Sequence, residues 1–116
     1  MPHDPRKLLD DILRAATLIL KFTSGHTLET YGSDELLRSA VERQFEIVGE
    51  ALGRLLKAHG SVGAQIGDHR QIIAFRNVLI HGYDAVDEAV VWDIVQKDLP
   101  ALKQQVEDLL ASLGSP

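Results

Sequence analysis

Apolar side chains recur at helical spacing in four stretches of the chain, and nowhere do they alternate at the period of a strand. The first stretch opens at Asp4-Pro5, a capping residue followed by a proline suited to the first helical position. Leu8, Leu9, Ile12, Leu13, Ala16, Ile19 and Leu20 then form one stripe. Residues 23–32 break the pattern and read as a loop. Ser33 is placed to cap a second helix, with Asp34 and Glu35 in its first turn, where the helix dipole favours negative charge. Leu37, Ala40, Val41, Phe45, Val48, Leu52, Leu55 and Leu56 carry its stripe to about Ala58. Gly49 and Gly53 sit inside this helix at a cost of about 1 kcal/mol each relative to alanine. A neighbouring helix packed close against that surface would account for both. Gly60-Ser-Val-Gly63 ends the segment.

The third helix is expected from about Asp68 to His81, with Gly82 as its stop. Ile72, Ile73, Ala74, Phe75, Val78, Leu79 and Ile80 make it apolar nearly all round, which predicts a buried, central element. The fourth starts near Asp84 or Asp87 and reaches about Leu113, with Val91, Val95, Leu99, Leu102, Val106, Leu109 and Leu113 as its stripe. Pro100 removes a backbone donor there and predicts a kink or break. The expected fold is all-α, an antiparallel bundle of four to five helices. With no repeat, low-complexity tract or linker, residues 1–116 read as one domain.

Composition narrows the chemistry. At 116 residues, with 45% apolar and 25% charged side chains, the chain has the make-up of a globular domain with one core. There is no cysteine, which excludes disulfides, thiolate metal sites and cysteine nucleophiles. No apolar run approaches the roughly 20 residues of a membrane span, and the N-terminus lacks a signal-like apolar core. A cytoplasmic protein with no membrane contact is the expectation. The net charge of −5 argues against a general nucleic-acid coat protein. The charge is uneven, however: residues 37–83 hold six basic and four acidic side chains, whereas residues 84–116 hold two and seven. The middle of the chain presents either a local basic groove or a set of solvated helix faces.

The polar groups that stand out lie at the end of the apolar third helix, in Arg76-Asn77-Val78-Leu79-Ile80-His81-Gly82-Tyr83. Arginine cannot shed its charge, so Arg76 needs an anion or solvent. Histidine is the side chain able both to take and to give a proton near neutral pH, which makes His81 a candidate acid or base. Asn77 is four residues from His81, on the same helix face, where its amide can orient the imidazole. Arg76 and His81 are five residues apart, roughly 140° around an ideal helix, so one straight helix does not converge them. Either the helix ends before His81, or two chains combine their groups at a shared interface. The structural alternative pairs Arg76 with Glu46 or Glu50 of the second helix and leaves His81 as a cap.

The Arg-x4-His spacing in a helical bundle resembles the signature of the HEPN superfamily. The longer Arg-x4-His-x-Tyr form, here Arg76, His81 and Tyr83, is similar to that of the HepT toxins. The resemblance extends over Glu42 to Ala51 (Glu-Arg-Gln-Phe-Glu-Ile-Val-Gly-Glu-Ala) and the Trp92…Asp98-Leu99-Pro100 pattern. It implies a metal-independent endoribonuclease toxin that acts on RNA, tRNA included, as a homodimer. It also implies a minimal nucleotidyltransferase antitoxin that silences the toxin by adding AMP to the motif tyrosine. Carried over, Arg76 would bind the scissile phosphate, His81 would act as general base or acid, Asn77 would support them, and Tyr83 would be the modified residue. The alternative it implies is a non-catalytic adaptor that binds nucleotide for such a nucleotidyltransferase.

RNA carries its own nucleophile, so this reading calls for no cofactor and no metal. His3, His26, His59 and His69 show no paired ligand spacing. Arg43 and Glu50 lie seven residues apart on one face of the second helix and either line the cleft beside Arg76 or form an internal ion-pair network. Trp92 falls off the fourth stripe, which suggests a packed side or a dimer contact rather than a base-stacking platform.

Overall fold

The computed structural model describes residues 4–82 and 86–114. Its elements are α1 (Pro5–Thr23), α2 (Leu28–Ser33), α3 (Glu35–Ala58), α4 (Gly60–Gly63), α5 (His69–His81), α6 (Glu88–Asp93), a π-helical turn (Ile94–Asp98) and α7 (Leu99–Leu113). No strand occurs among the described residues. The fold is the expected all-α bundle.

Local chemistry sets the boundaries. The Asp4 side chain accepts a hydrogen bond from the Arg6 amide at 2.8 Å, and Pro5 opens α1 where a missing N–H does no harm. The same carboxylate accepts from the Arg6 guanidinium, which holds it near pKa 2. Residues 23–32 are not wholly a loop: Thr27 and Thr30 form a reciprocal capping box, and α2 follows it. Ser33 therefore ends α2, and it is Asp34, not Ser33, that caps α3, through the Leu37 amide at 2.9 Å. The expected disruption at Pro100 takes the form of a π-turn. The Leu99 N–H donates to the Ile94 carbonyl, five residues back, and α7 restarts with Pro100 in its first turn.

The core forms where α1, α3 and α7 meet, since α1 packs chiefly on α3 and on α7. Leu9, Ile12, Ile19, Val41, Leu52, Leu55, Leu99 and Val106 are fully or almost fully buried there. α2 and α6 close one end, where the Trp92 ring lies against Tyr31 with centroids 5.3 Å apart. Trp92 is thus a packed side chain within the chain itself.

The expectation of a buried third helix is overturned. In α5 only Leu79 is buried, Val78 is 50% exposed, and Ala74 faces outward. The reason is geometric: the extensive contact of α5 is with α3 alone, and one neighbour cannot cover a helix that is apolar nearly all round. Even the covered side is loosely filled, with a cavity of about 210 Å³ bordered by Phe45, Ile72, Phe75, Leu99 and Leu102.

The two glycines of α3 also part company. A Cβ at Gly49 would lie 2.3 Å from the Cβ of Arg76, so α5 approaches α3 there as the sequence predicts. At Gly53 a Cβ would meet nothing within 4 Å. Close packing explains the first and not the second.

Candidate active site

Arg76 reaches its surroundings by running across Gly49, where the absence of a side chain lets its stem lie against α3. Its Nη2 then donates to Glu50 Oε2 at 2.8 Å, and its Nη1 donates to Asn77 Oδ1 at 3.2 Å. The guanidinium Nε is buried without a partner among the described residues. Of the two acidic partners that the sequence offers Arg76, the structure selects Glu50. The Asn77 carbonyl oxygen accepts from Arg76, and Asn77 makes no hydrogen bond to His81 among the described residues.

Glu50 carries a second arginine. Its Oε1 accepts from Arg54 Nε at 3.2 Å and lies 3.1 Å from Arg54 Nη2. One turn earlier on α3, Arg43 pairs with Glu46 at 3.3 Å. Positions 43, 46, 50 and 54 follow helical spacing and so share a face of α3. Together with Asp11 of α1 and Arg76 and Ile80 of α5, they border an open cleft of about 360 Å³. Arg43 and Glu50 therefore do both things the sequence left open: they line the cleft and take part in its ion pairs. Three guanidinium groups and three carboxylates face this space, which makes it a place of high local charge and little net charge.

His81 does not join them. It is the last residue of α5, exposed to solvent, and it does not border the cleft. The roughly 140° that separates residues five apart on a helix is realised here, since α5 runs unbroken through His81. Tyr83 lies outside the described residues.

Arg54 escaped the sequence reading, although its i,i+4 spacing from Glu50 on a face already suspected was a usable signal. A second polar site also went unnoticed. Near α2 and α6, Tyr31, Arg38, Glu42 and Glu88 border a pocket of about 250 Å³. Arg38 donates to the Gly32 carbonyl and lies 3.6 Å from Glu88. The Tyr31 side chain is fully buried and its hydroxyl has no partner among the described residues. Burial, followed by the charge of Glu42, pushes the Tyr31 phenol far up. Burial likewise raises the Glu42 carboxyl, against the opposing pull of Arg38. A single tyrosine in a segment of threonine, glycine, serine and acidic residues gave no sequence signal of this kind. Among the described residues no group of three His, Asp or Glu side chains gathers where a metal ion could sit, and no helix is long and apolar enough to cross a membrane.

An all-α bundle whose arginine-histidine motif ends a helix beside an arginine-lined cleft has the layout of a HEPN-type domain. Residues 12–109 match the family model described as ribonuclease HepT-like. The chain is 34% identical over 109 residues to a protein of Thermococcus cleftensis named as a probable ribonuclease HepT, covering 94% of this chain and 98% of that one. It is 32% identical over 105 residues to a Methanocaldococcus jannaschii protein named as a candidate RNase, covering 90% and 95% of the two chains. A Caldanaerobacter subterraneus protein, also named as a candidate RNase, is 30% identical over 106 residues, covering 91% and 94%. No solved structure matches the chain. The chain belongs to the HepT-like ribonuclease family.

Proposed function

We propose that residues 1–116 form a single HEPN-like domain that acts as a metal-independent endoribonuclease, with its working site assembled from two copies of the chain. The observation that carries this reading is the division of the motif: Arg76 points into the cleft while His81 stands exposed at the end of α5. His81 belongs to a stripe of exposed residues, Ala74, Asn77, Val78 and His81, at the i, i+3, i+4, i+7 spacing of the helix face turned away from Arg76. A helix face with an uncovered valine is a natural contact for a second copy. Packing two such faces puts the His81 side chains of both chains into the shared interface, with the cleft that holds Arg76 opening at its rim beside Ile80.

The chemistry needs nothing beyond RNA and these side chains. His81 takes the proton from a ribose 2′-hydroxyl, the oxygen attacks the adjacent phosphorus, and the bond to the 5′-oxygen breaks as that oxygen takes a proton from the His81 imidazolium. Arg76 holds the non-bridging oxygens and stabilises the charge that builds on them. The products are a 2′,3′-cyclic phosphate and a 5′-hydroxyl. In this reading the protein is a toxin, tRNA is among its substrates, and a minimal nucleotidyltransferase antitoxin neutralises it by adding AMP to Tyr83. A bulky, charged adenylate on that residue would repel RNA.

Mapped-end RNA cleavage tests the reading. His81→Ala and Arg76→Ala are each expected to lower the rate by a factor of about 10² to 10⁴. Mixing the two variants tests the shared site directly, because a heterodimer regains one intact Arg76/His81 pair of two and with it up to half the activity of a wild-type dimer. A mixture as inactive as its components would rule out a composite site, and wild-type protein that never cuts RNA would rule out the nuclease. Incubation with the cognate nucleotidyltransferase and ATP should add whole AMP masses to wild type and none to Tyr83→Phe.

A second reading, a non-catalytic nucleotide-binding adaptor, is favoured by one observation: Arg76 is already neutralised by Glu50. Under it, wild type and His81→Ala bind nucleotide equally and neither cuts RNA.

A further inference from the structure

The carboxylate of Glu50 is held as a phosphate would be. It presents two oxygens, each taken by a different arginine: Oε2 by Arg76 at 2.8 Å and Oε1 by Arg54 at 3.1 Å. A phosphodiester offers two non-bridging oxygens in the same forked arrangement, and arginine is the side chain whose planar donors match it. We infer that Arg54 is a second phosphate-binding residue of the cleft, and that Glu50 is a stand-in anion that keeps Arg54 and Arg76 aligned until the RNA backbone displaces it.

Three features support this assignment. First, the exchange is sterically open. Arg54 is 59% and Glu50 48% exposed, so the carboxylate can swing out and the guanidinium can follow a ligand. Arg76 cannot follow: it is only 29% exposed, its stem lies across Gly49 and its Nε is buried. The fixed arginine defines the position and the mobile one adapts to it. Second, the charge favours displacement. Asp11 is already paired with Lys7, so Glu46 and Glu50 are left to offset Arg43, Arg54 and Arg76 around the cleft, and the attractive field a phosphate meets strengthens when a carboxylate swings out. Glu50 is the one that touches both Arg54 and Arg76. Third, an exposed ion pair of this kind adds little to fold stability, so loss of Arg54 should be felt in binding rather than in folding.

The inference rests on the ribonuclease reading for the nature of the ligand, and its test separates the two. The probe is a short fluorescent 2′-O-methyl oligoribonucleotide, which binds but cannot be cleaved because the nucleophile is blocked. Full-length wild type, Arg54→Ala, Arg54→Lys and Glu50→Gln are compared by anisotropy across a salt series, alongside cleavage of unmodified RNA. Arg54→Ala is expected to weaken binding roughly tenfold and to reduce the salt slope by about one, the signature of one lost phosphate contact. Arg54→Lys should restore the slope but not the full affinity, since it keeps the charge and loses the fork. Glu50→Gln should bind the probe severalfold more tightly, because the cleft loses the negative charge that a phosphate must displace, while its melting temperature stays near that of wild type. A purely structural ion pair would not tighten binding in that way.

Unchanged affinity and slope in Arg54→Ala would overturn the assignment. So would a Glu50→Gln variant whose binding falls in step with its melting temperature. If wild type cleaves RNA while Arg54→Ala behaves identically, the phosphate clamp fails and the nuclease stands. If wild type binds the probe with the Arg54-dependent slope but cuts nothing, the nuclease fails and the clamp stands. No binding by wild type would overturn both.

Discussion

α1 and α5 are both rich in apolar residues, yet they end in opposite situations. α1 hides Leu8, Leu9, Ile12, Ala15, Ala16 and Ile19 at 2% exposure or less, whereas α5 hides only Leu79. The apolar positions of α1 fall in one stripe, which α3 and α7 cover from two sides. Those of α5 surround the helix, and α3 covers one side of it. The density of apolar residues measures how much surface a helix has to hide, not whether its own chain hides it. What α5 leaves uncovered is the surface that carries Val78 and His81.

Truncating the well-covered helix should have the largest effect. Ile12→Ala removes a side chain with no exposure and is expected to lower unfolding free energy by about 2–5 kcal/mol, read by chemical denaturation. Gly49→Ala comes next, at about 1–3 kcal/mol, because a methyl group there must push Arg76 and α5 away. Its loss of cleavage should exceed what the lost stability explains, since the cleft arginine moves with α5. Gly53→Ala is the matched control: with open space at that position it should stabilise the protein by about 0.5–1 kcal/mol. The smallest change in stability belongs to Val78→Asp, within about 0.5 kcal/mol for the single chain, as for other exposed sites. That substitution sharpens the contrast most, because under the two-copy reading it should abolish self-association in sedimentation while leaving the melting curve of the monomer in place. A Val78→Asp protein that unfolds like Ile12→Ala would show that α5 belongs to the core after all.

Much of the architecture was legible in the sequence because it is encoded locally. The stripes of α1, α3 and α7 follow from spacing alone, and Asp4-Pro5 marks a helix start by its own hydrogen bond. The errors have physical origins. Ser33 and Asp34 are both good caps, and only the preceding helix α2 decides between them. That helix was hidden because a two-threonine capping box resembles loop composition. The exposure of α5 was illegible because it depends on how many neighbours the fold supplies. At the candidate site, residue types and spacing sufficed to name Arg76, Arg43 and Glu50 and to foresee that Arg76 and His81 diverge. They did not reveal Arg54, whose interest arises only when α5 lands on Gly49 and delivers Arg76 to the same carboxylate.

The π-turn at Ile94–Asp98 has a consequence of its own. It inserts a phase step into an otherwise continuous rod of helix from Glu88 to Leu113. Upstream of the step the rod must point Val91 inward and Trp92 at Tyr31; downstream it must keep Leu99, Leu102, Val106 and Leu109 on the core. Wound as plain α-helix without the widened turn, the same residues would rotate the first part by about 100° relative to the second. The two ends of the molecule are thus geared together by a single surplus residue, and the helix serves as a shaft whose angular setting decides whether α2 has a partner to close on.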